Sequence, residues 1–66
     1  MSFRDFQRAL KAFGFELDRT RGSHMIYVHP HVPRPFSVQR SRKDVKPYQI
    51  HALLALVKAH GLHIKA

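Results

Sequence analysis

His24 lies within a short basic stretch and is the side chain in this sequence best suited to acid–base chemistry. It follows Arg21, Gly22 and Ser23 and precedes four apolar or aromatic residues at 25–28. Histidine changes charge between about pH 5 and 8, so it can accept and donate protons near neutrality. Cleavage of RNA needs such a group for the 2′-hydroxyl or the leaving oxygen, and cations for the phosphate. The candidate cations are Arg21, Arg40, Arg42 and Lys43.

Other chemistries have less support in the sequence. Ser23 is a poor nucleophile for His24, because adjacent residues of a strand point to opposite faces. A structural role for His24 at a strand edge remains an alternative. The six histidines include no helical zinc pair, and no cysteine and only four acids accompany them. We therefore expect no metal site and no cofactor.

The charge of the chain indicates an anionic partner. Twelve Lys and Arg residues stand against four Asp and Glu residues, which gives a net charge of +8. Such a field attracts polyanions, so nucleic acid is the first candidate and an acidic protein the second. A membrane surface is the weakest candidate, since no strongly amphipathic basic helix is evident. A basic domain without a polyanionic partner is the remaining alternative.

The length and composition indicate one small globular domain spanning residues 1–66. An apolar content of 44% is typical of a packed protein, and 66 residues leave no room for a second core. No apolar run approaches the roughly 18 residues that span a bilayer, and no signal-peptide pattern opens the chain. The absence of cysteine is compatible with the cytoplasm.

The first half of the chain predicts a helix and two strands. Apolar residues recur every three or four positions over 3–13, with Ser2 as the N-cap and Gly14 as the end. Alternation over 15–19 predicts a half-buried strand, followed by a turn at 20–22. The unbroken apolar run in the second strand, 23–29, needs cover on both faces. The helical stripe consists of Phe3, Phe6, Leu10 and Phe13.

The second half predicts a third strand and a second helix. Three prolines make 30–35 a connector, and 36–39 alternates as a short strand. A basic loop at 40–46 precedes a helix that begins at Pro47 and ends at Gly61. The residues expected to face the core are Ile50, Leu53, Leu54, Val57, Leu62 and Ile64.

The predicted order, α-β-β-β-α, defines an α+β fold. A three-stranded antiparallel sheet with both helices on one face is the economical packing, and it is the layout of the double-stranded-RNA-binding domain. The other face of the sheet then stays partly apolar, which indicates a partner or self-association.

Several segments together resemble the HicA family of toxin ribonucleases. They are Phe13-Gly14-Phe15, Arg21-Gly22-Ser23-His24, Tyr27-Val28-His29-Pro30, Val45-Lys46 and Lys58-Ala59-His60-Gly61-Leu62. The resemblance covers nearly the whole chain, and its most specific part is the Gly-Ser-His turn. The proline-rich 30–35 departs from the short glycine-bearing hairpin of many members, and an altered active-site rim or RNA preference is the expected consequence.

The resemblance implies a fold, an activity and a partner. HicA proteins have a double-stranded-RNA-binding-like fold and act as mRNA interferases in toxin–antitoxin modules. The position equivalent to His24 is their catalytic histidine, and HicB-family antitoxins cover the active site. We therefore expect a cytoplasmic, metal-independent endoribonuclease that is monomeric when free. A non-catalytic double-stranded-RNA-binding module is the main alternative, and an interaction domain for an acidic protein is the third.

Overall fold

The computed structural model describes residues 1–64 and contains two helices and three strands in the expected order. Residues 65 and 66 of the expected 1–66 domain lie outside the described residues. Within the described range, neither helix is long and apolar enough to cross a membrane. The elements are α1 (Phe3–Ala12), β1 (Glu16–Arg21), β2 (His24–His29), β3 (Val32–Gln39) and α2 (Pro47–His60).

The three strands form one antiparallel sheet in the order β1-β2-β3. The side chains of the central strand alternate: Met25, Tyr27 and His29 are buried, whereas His24 and Val28 are exposed. Residues from both helices pack in one apolar cluster against the buried face. The α+β fold of the double-stranded-RNA-binding type, with both helices on one face, is therefore confirmed.

Helix α1 begins and ends as its sequence predicts. The Ser2 Oγ accepts a hydrogen bond from the Asp5 N–H at 3.0 Å, which satisfies one of the free donors of the first turn. Phe6 and Leu10 are completely buried. Gly14 follows the helix with a φ of 95°, a conformation in which glycine avoids the penalty of a side chain.

The predicted half-buried strand over 15–19 is only partly correct. Phe15 is 1% exposed but precedes β1, and all six residues of β1 are exposed. Leu17 is in register with the buried Tyr27, so it lies on the side of the sheet that carries the helices. It is nevertheless 47% exposed. An open groove between α1 and β1 explains the difference, since α1 covers the middle of the sheet and leaves the inner side of this edge strand open.

The proline-rich segment is not a long connector, which corrects the expectation for 30–35. Only Pro30 and His31 join β2 to β3, and β3 begins at Val32. β3 tolerates Pro33 and Pro35 because it is an edge strand and its register shifts opposite the end of β2. Edge strands and bulges are the places where a missing N–H breaks no ladder bond.

Helix α2 confirms the predicted ends but only part of the predicted core stripe. Pro47 is its first residue, and Gly61 closes it with a φ of 60°. Leu53 and Leu62 are buried. Leu54 is 55% exposed, contrary to the prediction, because it lies about 100° around the helix from Leu53. Ile64 is also exposed rather than packed on the core.

The basic loop after β3 is fastened to the N-terminus of the chain. The Phe3 N–H donates to the carbonyl oxygen of Lys43 at 2.9 Å, and the Val45 N–H donates to that of Met1 at 3.0 Å. Val45 is 4% exposed and joins the core. This closure holds the start of α1 beside the segment that leads into α2.

Candidate active site

His24 is held by a two-residue hairpin loop. Arg21 and His24 are paired across the ladder, and Gly22 and Ser23 alone form the loop between β1 and β2. The predicted turn at 20–22 is therefore displaced by one residue, since β1 continues through Arg21. Gly22 has a φ of 59°, whereas no other residue type in the described part of the chain has a positive φ. The loop fixes the position of His24 at the first residue of the central strand.

Replacing Gly22 with alanine is expected to destabilise the protein by about 1–2 kcal/mol through backbone strain alone. No atom lies within 4 Å of where the added Cβ would stand, so steric collision makes no contribution. Gly22→Asn should lose less, because asparagine adopts this conformation more readily. Urea unfolding measures the free energies. An unchanged stability of Gly22→Ala contradicts the prediction.

His24 is exposed on the face of the sheet opposite the helices, where two polar residues flank it. Arg21 is its cross-strand neighbour on β1, and Gln39 is its neighbour on β3. The Arg40 N–H donates to the Ser23 carbonyl oxygen at 2.7 Å, so His24 and Gln39 form a non-hydrogen-bonded pair. Side chains approach most closely in such pairs, with Cα atoms about 4.5 Å apart.

Gln39 is positioned by the first turn of α2. Its backbone N–H donates to Oε1 of Gln49 at 2.8 Å, and Gln49 is 5% exposed. The Tyr48 hydroxyl donates to Oε1 of Gln39 at 3.5 Å. The second contact is long, so the backbone bond to Gln49 is the firmer one. The sequence alone does not identify Gln39 as a neighbour of His24, because this contact depends on strand register. The only local signal is a polar residue at the end of β3.

The structure brings together some of the residues expected to bind phosphate. Arg21 is paired with His24, and the backbone of Arg40 is bonded to the hairpin loop. Lys43 accepts a hydrogen bond from the first residue of α1 through its carbonyl oxygen, so its backbone is held at the start of that helix. Arg42 belongs to the same departing loop. The residues gathered at the His24 end of the sheet are Arg21, Gly22, Ser23, His24, Gln39 and Arg40.

The rest of this outer face combines one more cation with apolar side chains. Arg19 is in register with Ile26 and donates from Nη1 to Oδ2 of Asp18 at 2.7 Å. Both partners of this ion pair are largely exposed, so it contributes little to stability. Ile26 is half-buried and Val28 is 37% exposed. The expected partly apolar outer face is therefore present.

His29 is a structural histidine of the core, at the other end of β2. Its Nδ1 accepts from the His31 N–H at 3.0 Å, and its Nε2 lies 2.9 Å from the Phe13 carbonyl oxygen. A carbonyl oxygen only accepts, so Nε2 is the donor of this hydrogen bond. Its ring also meets Phe15 edge to face, with centroids 4.9 Å apart. Both ring nitrogens are thus occupied within the protein.

No group of three or more His, Cys, Asp or Glu residues among residues 1–64 is arranged to hold a metal ion.

Pro30 lies far from His24. His24 begins β2 and Pro30 follows its last residue, so the two are separated by the length of the strand. Five steps along the strand at about 3.3 Å each place His24 and His29 roughly 17 Å apart, and Pro30 follows His29. Pro30 is therefore at the opposite end of β2 from His24, and an effect of 30–35 on RNA preference stays a prediction.

Comparison with known proteins agrees with this architecture. The family model described as HicA toxin of bacterial toxin-antitoxin matches residues 3–62 of the 66-residue chain. No curated protein matches the sequence, and no solved structure matches it. The match includes both helices, the whole sheet and the hairpin that presents His24. The chain belongs to the HicA toxin family.

Proposed function

We propose that this toxin is a metal-independent endoribonuclease that cuts mRNA in the cytoplasm with His24 as its catalytic residue. The observation that supports this function is the position of His24. It is exposed at the start of the central strand, between Arg21 and Gln39 in register. A residue on the middle strand of a sheet is held more firmly than one on a loop, and catalytic geometry requires that firmness.

The proposed reaction uses the 2′-hydroxyl of the RNA as the nucleophile. His24 takes the proton of this hydroxyl as general base, or delivers a proton to the leaving 5′-oxygen as general acid. The 2′-oxygen bonds to phosphorus as the bond to the 5′-oxygen breaks. The products are a 2′,3′-cyclic phosphate and a 5′-hydroxyl. Arg21 and Arg40 bind the phosphate oxygens through charge-assisted hydrogen bonds, with Arg42 and Lys43 contacting the RNA backbone further away.

The products of RNA cleavage test this proposal directly. We expect the purified toxin to cut single-stranded RNA at full rate in EDTA and to leave 2′,3′-cyclic phosphate ends. These ends are identified by mass spectrometry of a short oligonucleotide. A substrate with a 2′-deoxyribose at the cut site is the matched control and should stay intact. Loss of cleavage in EDTA, or 5′-phosphate products, contradicts the mechanism.

Arg21 should matter more than Arg42, although both carry one positive charge. We expect Arg21→Ala to lower kcat/KM by about tenfold or more, the equivalent of one lost hydrogen bond to a charged group. Arg42→Ala removes the same charge from the departing loop, so it should change kcat/KM by less than about threefold. Measuring both variants at several salt concentrations separates local contact from long-range attraction. Equal losses contradict a specific role for Arg21.

An antitoxin partner is implied by membership of a toxin–antitoxin family. We infer that it is a HicB-family protein that covers His24 by docking on the outer face of the sheet. The exposed Val28 and the half-buried Ile26 offer apolar contact beside His24 there. Such a partner protects RNA from the toxin by denying access to the histidine.

A non-catalytic double-stranded-RNA-binding module is the second candidate, and the fold together with the charge of +8 favours it. In that case the protein binds duplex RNA by shape and phosphate contacts, with a steep dependence on salt. Binding of duplex RNA that stays intact after long incubation, with the same affinity for His24→Ala, identifies this function.

A further inference from the structure

The two edges of the sheet differ in their ability to accept another strand. Val38 and Phe36 pair with Met25 and Tyr27 and direct their backbone groups to β2. The backbone groups at positions 35, 37 and 39 of β3 therefore face away from the sheet. The backbone of position 33 also faces away from β2, because the preceding residue, Val32, pairs with His29 across a two-residue loop and directs its own backbone groups to β2. Positions 33 and 35 are prolines, which have no N–H. The N–H of Gln39 already donates a hydrogen bond to Oε1 of Gln49. The edge of β3 is therefore largely closed.

The edge of β1 is open. Met25 and Tyr27 use their backbone groups on β3, so their partners on β1, Thr20 and Leu17, direct their N–H groups away from the sheet. Within residues 1–64, neither N–H donates a hydrogen bond outside the sheet ladder. β1 contains no proline, and unpaired edge groups of this kind are a template for strand addition.

A groove lies along the inner side of this open edge. It has a volume of about 640 Å³ and separates α1 from β1. Leu17 presents an exposed apolar side chain to it, and Phe15 and Tyr27 contribute buried aromatic rings. Three cations of α1 line its other wall, and the acid among its lining residues is Glu16. The cations are Arg4, Arg8 and Lys11.

We propose that the edge of β1 and this α1–β1 groove bind an extended acidic segment of a partner protein, which adds a fourth strand to the sheet. The backbone of the segment accepts the N–H groups of Leu17 and Thr20. Side chains on its inner side enter the groove, with an apolar residue against Leu17 and carboxylates against the cations of α1. The sequence alternation that predicts a half-buried β1 is then satisfied by the partner.

An acidic protein segment fits this surface better than RNA or a second copy. The outward N–H groups of Leu17 and Thr20 lie three residues apart, on either side of the register shift between Leu17 and Arg19, and they adjoin the exposed Leu17 side chain. A peptide backbone with an apolar side chain on its inner side complements such an edge. A second copy also carries a charge of +8 and only four acids, so two copies repel each other. The surface is an edge of the sheet, separate from the face that carries His24. The inference therefore does not depend on catalysis by His24.

A peptide of alternating glutamate and valine residues is a suitable probe. We expect it to bind the intact toxin, measured by fluorescence anisotropy, and to protect the amides of Leu17 and Thr20 from hydrogen exchange. Thr20→Pro removes one outward donor without removing a ladder bond, so it should weaken binding at least tenfold, about 1.4 kcal/mol. Circular dichroism shows whether this variant is folded.

Charge variants keep the proposal testable if Thr20→Pro does not fold. Arg8→Glu places a carboxylate in the groove and should also weaken peptide binding at least about tenfold. Lys58→Glu makes the same change of charge on α2, outside the groove, and should change the affinity by less than about threefold. Equal effects of the two charge variants overturn the proposal.

Three other results also overturn the proposal. The first is a peptide that does not bind at millimolar concentration. The second is a decamer of uridine that occupies the groove with an affinity that Thr20→Pro does not change, which identifies an RNA surface. The third is a homodimer in light scattering that Thr20→Pro dissociates, which identifies a second copy as the occupant.

Discussion

Replacing His24 with alanine is expected to reduce RNA cleavage by at least about 100-fold, because general acid–base catalysis contributes roughly 10²–10⁴ to a rate. Induction of the variant should no longer arrest growth. The loss should appear in kcat more than in KM, since Arg21 and Arg40 remain to bind the RNA. Single-turnover cleavage of a labelled oligonucleotide measures the chemical step, and a growth curve measures toxicity.

The fold should survive this substitution, because His24 is exposed and makes no side-chain hydrogen bond in the described part of the chain. His51→Ala is the matched control, since His51 is also an exposed histidine but lies on α2. It should cleave RNA at the original rate. Full cleavage by folded His24→Ala protein, freed of contaminating ribonuclease, removes His24 from the mechanism.

Replacing Phe6 with alanine is expected to remove a large part of the stability of the protein. Phe6 belongs to α1 and is completely buried. Deletion of such a ring removes about 3–5 kcal/mol of stability. At roughly 0.05–0.15 kcal/mol per residue, a chain of this length has only about 3–10 kcal/mol available. Thermal unfolding followed by circular dichroism should show a large fall in Tm.

Leu54→Ala provides the comparison for this core substitution. Leu54 is 55% exposed on α2, so its truncation should change the free energy of unfolding by less than about 1 kcal/mol. Phe6→Leu should lie between the two, because it retains most of the buried apolar volume. Equal free energies of unfolding for Phe6→Ala and Leu54→Ala contradict the prediction that burial of Phe6 stabilises the fold.

The helices and the order of the strands could be predicted from the sequence because their signals are local. Ser2, Gly14, Pro47 and Gly61 mark helix ends through backbone preferences that each residue carries on its own. The position of His24 next to a glycine turn is also a local signal. These features needed no knowledge of which strand meets which.

The features that could not be predicted depend on register and on cover from distant elements. Gln39 is a neighbour of His24 because of the register between β2 and β3, which the sequence does not show. The strand could not be predicted over Pro33 and Pro35, because a proline fits an edge strand only where its nitrogen faces away from the neighbouring strand, and the sequence does not show that direction. The exposure of Leu17 depends on how far α1 reaches across the sheet, which alternation within β1 does not encode.

The two-residue loops have a consequence for how the chain folds. Each strand pairs with the next strand along the chain, so the whole sheet forms by two local hairpin closures of the kind that take microseconds. The contacts of Phe3 with Lys43 and of Val45 with Met1 join segments about forty residues apart. Closing that long loop costs more chain entropy than closing either hairpin. We therefore expect the hairpin bearing His24 to assemble early, and the fastening of the N-terminus to limit the folding rate.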